Sequence, residues 1–257
     1  MTSWHRAALA VADAALAMTL APTCAACAAV LDRPLSGPVC DVCWAAILVL
    51  RPPLCRRCGD ALPSWRTVDA APARCAACLR RRESAVDWGR AIGAYDGALE
   101  RIVRAHKYGG RRSVARRIGP LLQQVGAELT TGASCAVPVP LHPWRRLRRG
   151  FNQAADLAAT LDLPVVRALR RARATRTQTG LGVTARRHNV DGAFGLSLLL
   201  PAATRRRFLV GCRVVLVDDV RTTGATLEAC ARVLKDAGVL EVRALTVARA
   251  RTPGHSS

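Results

Sequence analysis

Two adjacent carboxylates, Asp218 and Asp219, stand directly after four β-prone apolar residues, Val214 to Val217. A hydroxyl- and glycine-rich turn follows, made of Thr222, Thr223, Gly224, Ala225 and Thr226, and then a helical pattern from Leu227 to Ala237. Such a stretch reads as strand, loop and helix N-terminus. The exposed amides and the helix dipole suit a phosphate. The carboxylates suit the vicinal hydroxyls of a sugar, or a magnesium ion that the hydroxyls also bind. One loop therefore offers separate sites for the two ends of a ribose 5-phosphate. An ordinary buried strand with an N-capped helix behind it explains Thr223 or Thr226, but it does not call for two carboxylates at the strand's carboxyl end.

Cysteine supplies the second chemistry. Eight of the eleven cysteines form four Cys-x-x-Cys pairs, Cys24/Cys27, Cys40/Cys43, Cys55/Cys58 and Cys75/Cys78, separated by 12, 11 and 16 residues. A Cys-x-x-Cys turn aims two thiolates at one point, and two turns complete a tetrahedral zinc shell, so two structural zinc ions are expected. A disulfide scaffold fits poorly beside a nucleotide-type site without a secretion signal, and a redox dithiol needs one pair, not four. Consecutive pairing and a crossed arrangement both satisfy the spacing. Pro34, Gly37, Pro38, Pro52, Pro53, Gly59, Pro63 and Pro72 cluster in the same region. Ligands on short loops with little core of their own imply that metal supplies the folding energy there, so chelation is expected to melt residues 22–80 and spare the rest. Cys135, Cys212 and Cys230 are isolated and read as small buried hydrophobes.

The elements that must carry these groups alternate. Short strands are expected over Ala91–Tyr95, Cys135–Pro140, Val165–Leu169, Arg213–Asp218 and Val242–Ala248. Helices are expected over Gly97–His106, Val114–Leu129, Phe151–Leu161 and Thr226–Ala237. Alternation of this kind makes an α/β fold: a mostly parallel sheet with helices on both faces, binding ligands beyond the carboxyl ends of its strands. At 257 residues, 51% of them hydrophobic and 22% charged, the chain has the composition of a globular protein, with room for one sizeable core and a smaller module. The division that follows is an N-terminal amphipathic helix (1–21) packed on the body through Leu9, Ala12, Leu16 and Leu20, a double zinc-ribbon module (22–85), the α/β domain (86–251) and a disordered tail (252–257). Residues 7–21 are too short to span a membrane and are interrupted by Asp13, which points to a cytoplasmic protein.

Charge is unevenly placed. The net charge is +21, and 18 Lys or Arg face only Glu128, Asp156 and Asp162 between Arg101 and Val190. A solvated surface and a polyanion partner both account for that excess. Three motifs lie within it. His106-Lys107-Tyr108-Gly109-Gly110 holds one of the two lysines of the chain, either as part of the cleft or as a helix C-cap. Val137 to Pro143 leaves a strand on a proline-stiffened loop that presents Arg145, Arg146, Arg148 and Arg149 before Gly150-Phe151-Asn152-Gln153 opens a helix; rigid backbone followed by cations suits a pyrophosphate. Arg170 to Asn189, with Gln178, Arg186 and Arg187, reads as a lid or as a connector. Trp144, Tyr108 and Phe151 are stacking candidates beside this charge, with Phe151 the best candidate for core instead.

Taken in order, these residues resemble the ComF family (ComFC and GntX-like proteins). The paired cysteines come first, then His106-Lys107-Tyr108, Val137 to Leu141, Arg149-Gly150-Phe151-Asn152-Gln153, Gln178, Arg186, Asn189 and finally Asp218 to Thr226. The Asp-Asp stretch alone is similar to the signature of the wider type I phosphoribosyltransferases. The resemblance implies a zinc module on a phosphoribosyltransferase fold that binds phosphoribosyl pyrophosphate (PRPP) with magnesium. It implies a role in natural competence, handling single-stranded DNA with partners such as a ComFA-type helicase and DprA. Carried over, Asp218 and Asp219 are the catalytic pair on the ribose hydroxyls, and Thr222, Thr223, Gly224, Ala225 and Thr226 take the 5-phosphate. The loop after Pro140, with Arg145 and Arg149, and Lys107 complete the PRPP site. Arg221 occupies the variable place in the signature, where its charge adds a phosphate contact. Two functions are compatible with this: a PRPP-binding competence protein acting on single-stranded DNA, and an active transferase of ribose 5-phosphate to an acceptor that the sequence does not identify.

Overall fold

The computed structural model describes residues 3–62, 74–80, 83–172 and 192–250. In chain order the strands are β1 (Trp88–Ala94), β2 (Cys135–Pro138), β3 (Leu169–Arg171), β4 (Phe194–Leu196), β5 (Arg213–Arg221) and β6 (Glu241–Arg249). The α-helices among the described residues are α1 (Ser3–Leu20), α2 (Asp41–Ala45), α3 (Ala76–Arg80), α4 (Gly97–Tyr108), α5 (Ser113–Thr130), α6 (Pro143–Arg149), α7 (Gln153–Ala158), α8 (Ala202–Phe208) and α9 (Ala225–Asp236).

Period-two alternation in the strands sorts the apolar side chains into two layers. Val215 and Val217 of β5 join Leu245 and Val247 of β6 on one face, against Leu99, Ile102 and Val103 of α4, Val114, Ile118 and Leu122 of α5, and Leu157 of α7. Val214, Leu216, Val242 and Ala244 face the other way, onto Leu227, Ala231 and Leu234 of α9 and Phe194 of β4. Each such buried side chain contributes about 1.5–3 kcal/mol. The sheet that results has the order β1-β6-β5-β2 and is parallel throughout. This is the mostly parallel, two-faced architecture that the alternation of elements implies.

Several boundaries differ from the sequence expectation. β5 does not end at Asp218: it stays paired with β6 through Asp218↔Thr246, Val220↔Ala248 and Arg221↔Arg249, so both carboxylates sit on the strand itself. The segment at Val165 makes only a single parallel bridge to Ala136, and Leu169 instead opens an antiparallel ribbon, β3 with β4. The stretch of arginines after Pro143 is helical, because His142 Nδ1 accepts the Trp144 amide at 3.2 Å and Pro143 is already set for a first turn. The next helix starts at Gln153, not Phe151, since Asn152 caps it through Oδ1 to the Ala154 amide at 3.1 Å. Of the expected lid, Gln178, Arg186, Arg187 and Asn189 lie outside the described residues, as does the tail at 252–257.

The front of the chain is joined to the body. Cys24, Leu31, Val39, Cys43 and Ile47 are buried in the same core as β1, α4 and α5, and the Leu50 amide donates to the Ile92 carbonyl at 2.8 Å. A melting confined to residues 22–80 is therefore no longer the expected response to chelation. Of the four residues expected to pack α1, Ala12 and Leu16 are partly buried while Leu9 and Leu20 are exposed. Leu9 is 43% and Leu20 71% exposed, and the helix is held through buried Asp13, whose Oδ1 accepts the Leu35 amide at 2.8 Å. Cys135 and Cys230 are fully buried, as expected, whereas Cys212 is only partly so. No helix among the described residues is long and apolar enough to cross a membrane.

Candidate functional site

Parallel pairing brings the carboxyl ends of all four strands to one edge, and the chain's reactive groups collect there. Val214 to Val217 are fully buried, and β5 then emerges with Asp218 half-buried and Asp219 buried. Asp218 Oδ1 accepts the Asp219 amide at 2.8 Å. α4 crosses this edge from the end of β1, and its last turn delivers Lys107, whose Nζ lies 3.0 Å from Asp219 Oδ1. Lys107 is thus part of the carboxylate site and not merely a complement to a helix dipole.

The electrostatics follow from this crowding. Burial first, and the neighbouring Asp219 second, push the Asp218 carboxyl up to about 7, against the attraction of Lys107, the Asp219 amide and Arg171. Arg171 therefore belongs to the surroundings of the pair; it sits at the end of β3, inside the Arg170–Asn189 stretch but with no spacing that singles it out. Burial works against the Lys107 ammonium, but Asp219 outweighs it and the amine is held above its usual range. At neutral pH the site holds one firm ion pair and one carboxyl poised to gain or lose a proton. It can accept hydrogen bonds from a diol or bind a hard cation through oxygen.

The loop beyond β5 has the shape of an anion cradle. Gly224 is left-handed at φ 79° and supplies the N-cap position of α9, while Thr223 Oγ1 accepts the Ala225 amide at 3.3 Å. α9 begins just beyond the carboxylates, and a helix N-terminus so placed is of the kind that binds phosphate. Thr222 is exposed, Thr223 and Thr226 are partly so, and Ala225 begins the helix. Gly224 is also needed for space, because a Cβ there lies 3.1 Å from Arg221 Nε.

Arg221 is placed differently from the expectation. Its guanidinium packs beside Gly224 of the loop and donates through Nη1 to the Cys58 carbonyl at 3.3 Å. Arg149 stacks its guanidinium over the Tyr108 ring at 4.8 Å. The side chain of Arg145, in α6, is outside what the structure describes. Neither Arg221 nor Arg149 is held against the carboxylates.

The remaining motif residues act by positioning. Gln153, 1% exposed, donates Nε2 to the Lys107 carbonyl at 3.4 Å, and Asn152 Nδ2 donates to the Val139 carbonyl at 3.0 Å. His106 is buried against Phe151 at 5.6 Å between ring centroids. Burial lowers its pKa, so it is neutral beside Asp156, whose Oδ2 lies 3.8 Å from Nε2. Arg112 closes the cluster with a two-point contact to Asp156 at 2.9 and 2.6 Å. Spacing along the chain carries no signal for Asp156 or Arg112, which meet His106 only in space. Phe151 is core, while Tyr108 and Trp144 are 70% and 71% exposed.

The cysteines resolve into two clusters by consecutive pairing. Cys24, Cys27, Cys40 and Cys43 form one, Cys55, Cys58, Cys75 and Cys78 the other, each with its Sγ atoms within 4.8 Å of one another. None of the eight is in a disulfide. Backbone amides point at the sulfurs, Cys40 N to Cys24 Sγ at 3.3 Å and Cys75 N to Cys55 Sγ at 3.3 Å. Burial opposes ionisation of Cys24, yet the amides of Cys40, Ala26 and Cys27 overcome it and bring the thiol down to about 6. Four soft donors converging on one point, oriented by amides, fit a tetrahedral metal ion.

Comparison with known proteins agrees with this geometry. The family model described as "Phosphoribosyl transferase domain" matches residues 147–255, which contain β5, the loop and α9. Competence protein F of Haemophilus influenzae is 31% identical over 210 residues, covering 77% of this chain and 85% of that protein. The DNA utilization protein YhgH of Escherichia coli K12 is 32% identical over 223 residues, covering 82% and 90%. Competence protein ComFC of Bacillus subtilis is 25% identical over 214 residues, covering 77% and 85%. With relatives above 30% identity over most of both chains, and the family model on the carboxylate-bearing strand, the chain belongs to the ComF family of the phosphoribosyltransferase superfamily.

Proposed function

We propose that the protein binds PRPP with magnesium at the carboxyl edge of β5 and uses that site in handling single-stranded DNA during natural competence. The observation that carries the reading is the Asp218-Asp219 pair standing between the Lys107 ammonium, at 3.0 Å from Asp219, and the left-handed Gly224 loop that opens α9. The carboxylates take the ribose hydroxyls, and Thr222 to Thr226 with the first amides of α9 take the 5-phosphate. Lys107, released from Asp219 as the diol engages it, moves its charge to the diphosphate; Arg145 and Arg149 are the further candidates for that end. Magnesium, when bound, neutralises the diphosphate oxygens. Zinc in the two cysteine clusters holds the front of the chain together. The DNA role rests on the relatives' names, competence protein and DNA utilization protein, together with the arginine-rich middle and the exposed rings of Tyr108 and Trp144. A cytoplasmic location, a ComFA-type helicase and DprA go with this reading.

Calorimetric titration of PRPP and magnesium into wild type and Asp218→Ala tests the site. Saturable binding by wild type and its loss in the variant are expected; equal binding by both refutes the assignment. Single-stranded DNA binding should weaken steeply from about 50 to 200 mM salt, and indifference to salt refutes the electrostatic contact. A second reading, transfer of ribose 5-phosphate to an acceptor, is favoured by one observation: a carboxyl held at about 7 can exchange a proton at neutral pH. Release of pyrophosphate dependent on an added acceptor supports it, and PRPP binding without release across an acceptor panel returns the first reading.

A further inference from the structure

Both ends of the loop that cradles phosphate are tied to the segment carrying the second cysteine cluster. At the strand end, Arg221 is the last residue of β5 and Arg249, its register partner, the last of β6. The two guanidiniums converge on one acceptor, the Cys58 carbonyl, with Arg221 Nη1 at 3.3 Å and Arg249 Nη1 at 3.1 Å. Arg249 also pairs through Nε and Nη2 with the Asp60 carboxylate. At the helix end, Glu228 in the first turn of α9 accepts the Ser84 hydroxyl at 2.8 Å and the Ala85 amide at 2.6 Å, just beyond the last cysteine of the cluster.

The segment of the cluster packs closely on the sheet at Gly59. Gly59, left-handed at φ +72°, sits so close to β1 that a Cβ there lies 2.8 Å from the Gly89 carbonyl oxygen. Gly89 in turn leaves room for Arg221, whose Nη1 is 3.4 Å from where a Cβ would stand. Arg221 then lies 3.1 Å from a Cβ on Gly224. Cys58 is thus joined by a hydrogen bond to one arginine, whose guanidinium leaves little space beside the left-handed glycine of the loop. Charge bears on the same contact. A divalent ion held by four thiolates carries a net negative charge, the sign that two buried guanidiniums require.

We infer that Arg221 is a positioning residue that couples metal occupancy of the Cys55/Cys58/Cys75/Cys78 cluster to the conformation of the Thr222–Thr226 loop, so that this metal site and the PRPP site strengthen each other. The inference rests on the PRPP reading given above. Arg221 holds the loop from behind and does not touch the phosphate. The first cluster packs on the α4–α5 face instead and stands outside this linkage. Because coupling free energies are reciprocal, PRPP must hold metal in the second cluster as strongly as that metal improves PRPP affinity.

The test uses the full chain loaded with zinc. Zinc release to a chelating dye is followed with and without PRPP and magnesium. The proteins compared are wild type, Arg221→Leu, Arg249→Leu and a Cys24→Ser/Cys27→Ser variant in which only the second cluster is intact. PRPP should slow release of one zinc equivalent about fivefold or more. That protection should persist in the cysteine variant and vanish in Arg221→Leu, which should also bind PRPP about tenfold more weakly. Arg249→Leu, which removes the other donor to the same carbonyl, should reduce the protection without altering a residue of the loop. Hydrogen exchange on ligand-free protein gives a readout independent of PRPP: stripping zinc should raise exchange across 221–228 in wild type. PRPP binding with unchanged zinc release overturns the coupling while leaving the PRPP site standing. Weakened PRPP binding in Arg221→Leu with protection intact identifies a direct phosphate ligand and overturns the positioning role. Failure of wild type to bind PRPP at all overturns the site and the coupling together.

Discussion

Replacing Asp218 by Asn should stabilise the protein while destroying its proposed ligand site. The carboxyl is moved from an ordinary 3.8 to about 7, first by burial and then by Asp219. Its folded pKa lies above its unfolded value, so the folded state holds the proton more tightly. The associated stability is fully present below about pH 4 and is lost as pH rises through about 7. A shift of this size corresponds to roughly 4 kcal/mol once the group is ionised in both states, of which roughly 2 kcal/mol is lost between about pH 5.5 and 8. Asn has nearly the same shape, keeps an oxygen to accept the Asp219 amide now bonded at 2.8 Å, and cannot ionise. The attraction of Lys107 and Arg171 is already contained in that shift, so the variant should be more stable than wild type by roughly 4 kcal/mol at about pH 8, with the gap narrowing by roughly 2 kcal/mol towards about pH 5.5. Urea denaturation of zinc-loaded protein across that range measures the difference, and calorimetry on the same samples should show PRPP affinity lost. If the two proteins have parallel stability profiles, or if the variant is the weaker at about pH 8, the burial assigned to Asp218 is wrong.

Lys107→Met removes the ammonium 3.0 Å from Asp219, with both side chains largely buried. The gross attraction at an effective dielectric of about 20 is about 5 kcal/mol, and after solvation is returned a loss of about 3 kcal/mol is expected in urea denaturation. Gly224→Ala must hold φ near 79° and place a methyl 3.1 Å from Arg221 Nε; a cost of about 1–2 kcal/mol in thermal or urea unfolding is expected, with weaker PRPP binding in calorimetry. Chelation of both clusters should lower hydrogen-exchange protection not only over residues 22–80 but also in β1 and the first half of α5, because Leu31, Val39 and Ile47 share their core. Unchanged protection in β1 and α5 would separate the front from the body after all.

The parts of this molecule that follow from local rules are legible in the chain itself. Two Cys-x-x-Cys turns per metal, an apolar run breaking into carboxylates and glycine, and strands alternating with helices are all statements about residues within a few positions of one another. Backbone period and turn chemistry decide them. Element ends are less legible. β5 runs on to Arg221 because β6 continues beside it, and α6 forms because His142 caps a run that reads as a presenting loop. Pairing partners and caps, not propensity, make those decisions.

Side-chain destinations are legible least of all. Lys107 meets Asp219, His106 meets Asp156, and Glu228 meets Ser84 across separations no spacing rule spans. In a chain with 37 arginines, nothing local distinguishes Arg221, which turns back to a cysteine knuckle, from an arginine offered to phosphate. The sequence by itself determined which groups are on offer for the proposed ribose phosphate and metal sites, since those depend on residue type and short-range order. Tertiary structure alone decided that the cysteine pairs are used consecutively and that Lys107 stands among the carboxylates. It also decided that the Thr222–Thr226 loop is tied through Arg221 to Cys58 and through Glu228 to Ser84 and Ala85. Direction at a strand end is set by the pleat and by whatever packs alongside, and only the folded chain specifies its neighbours.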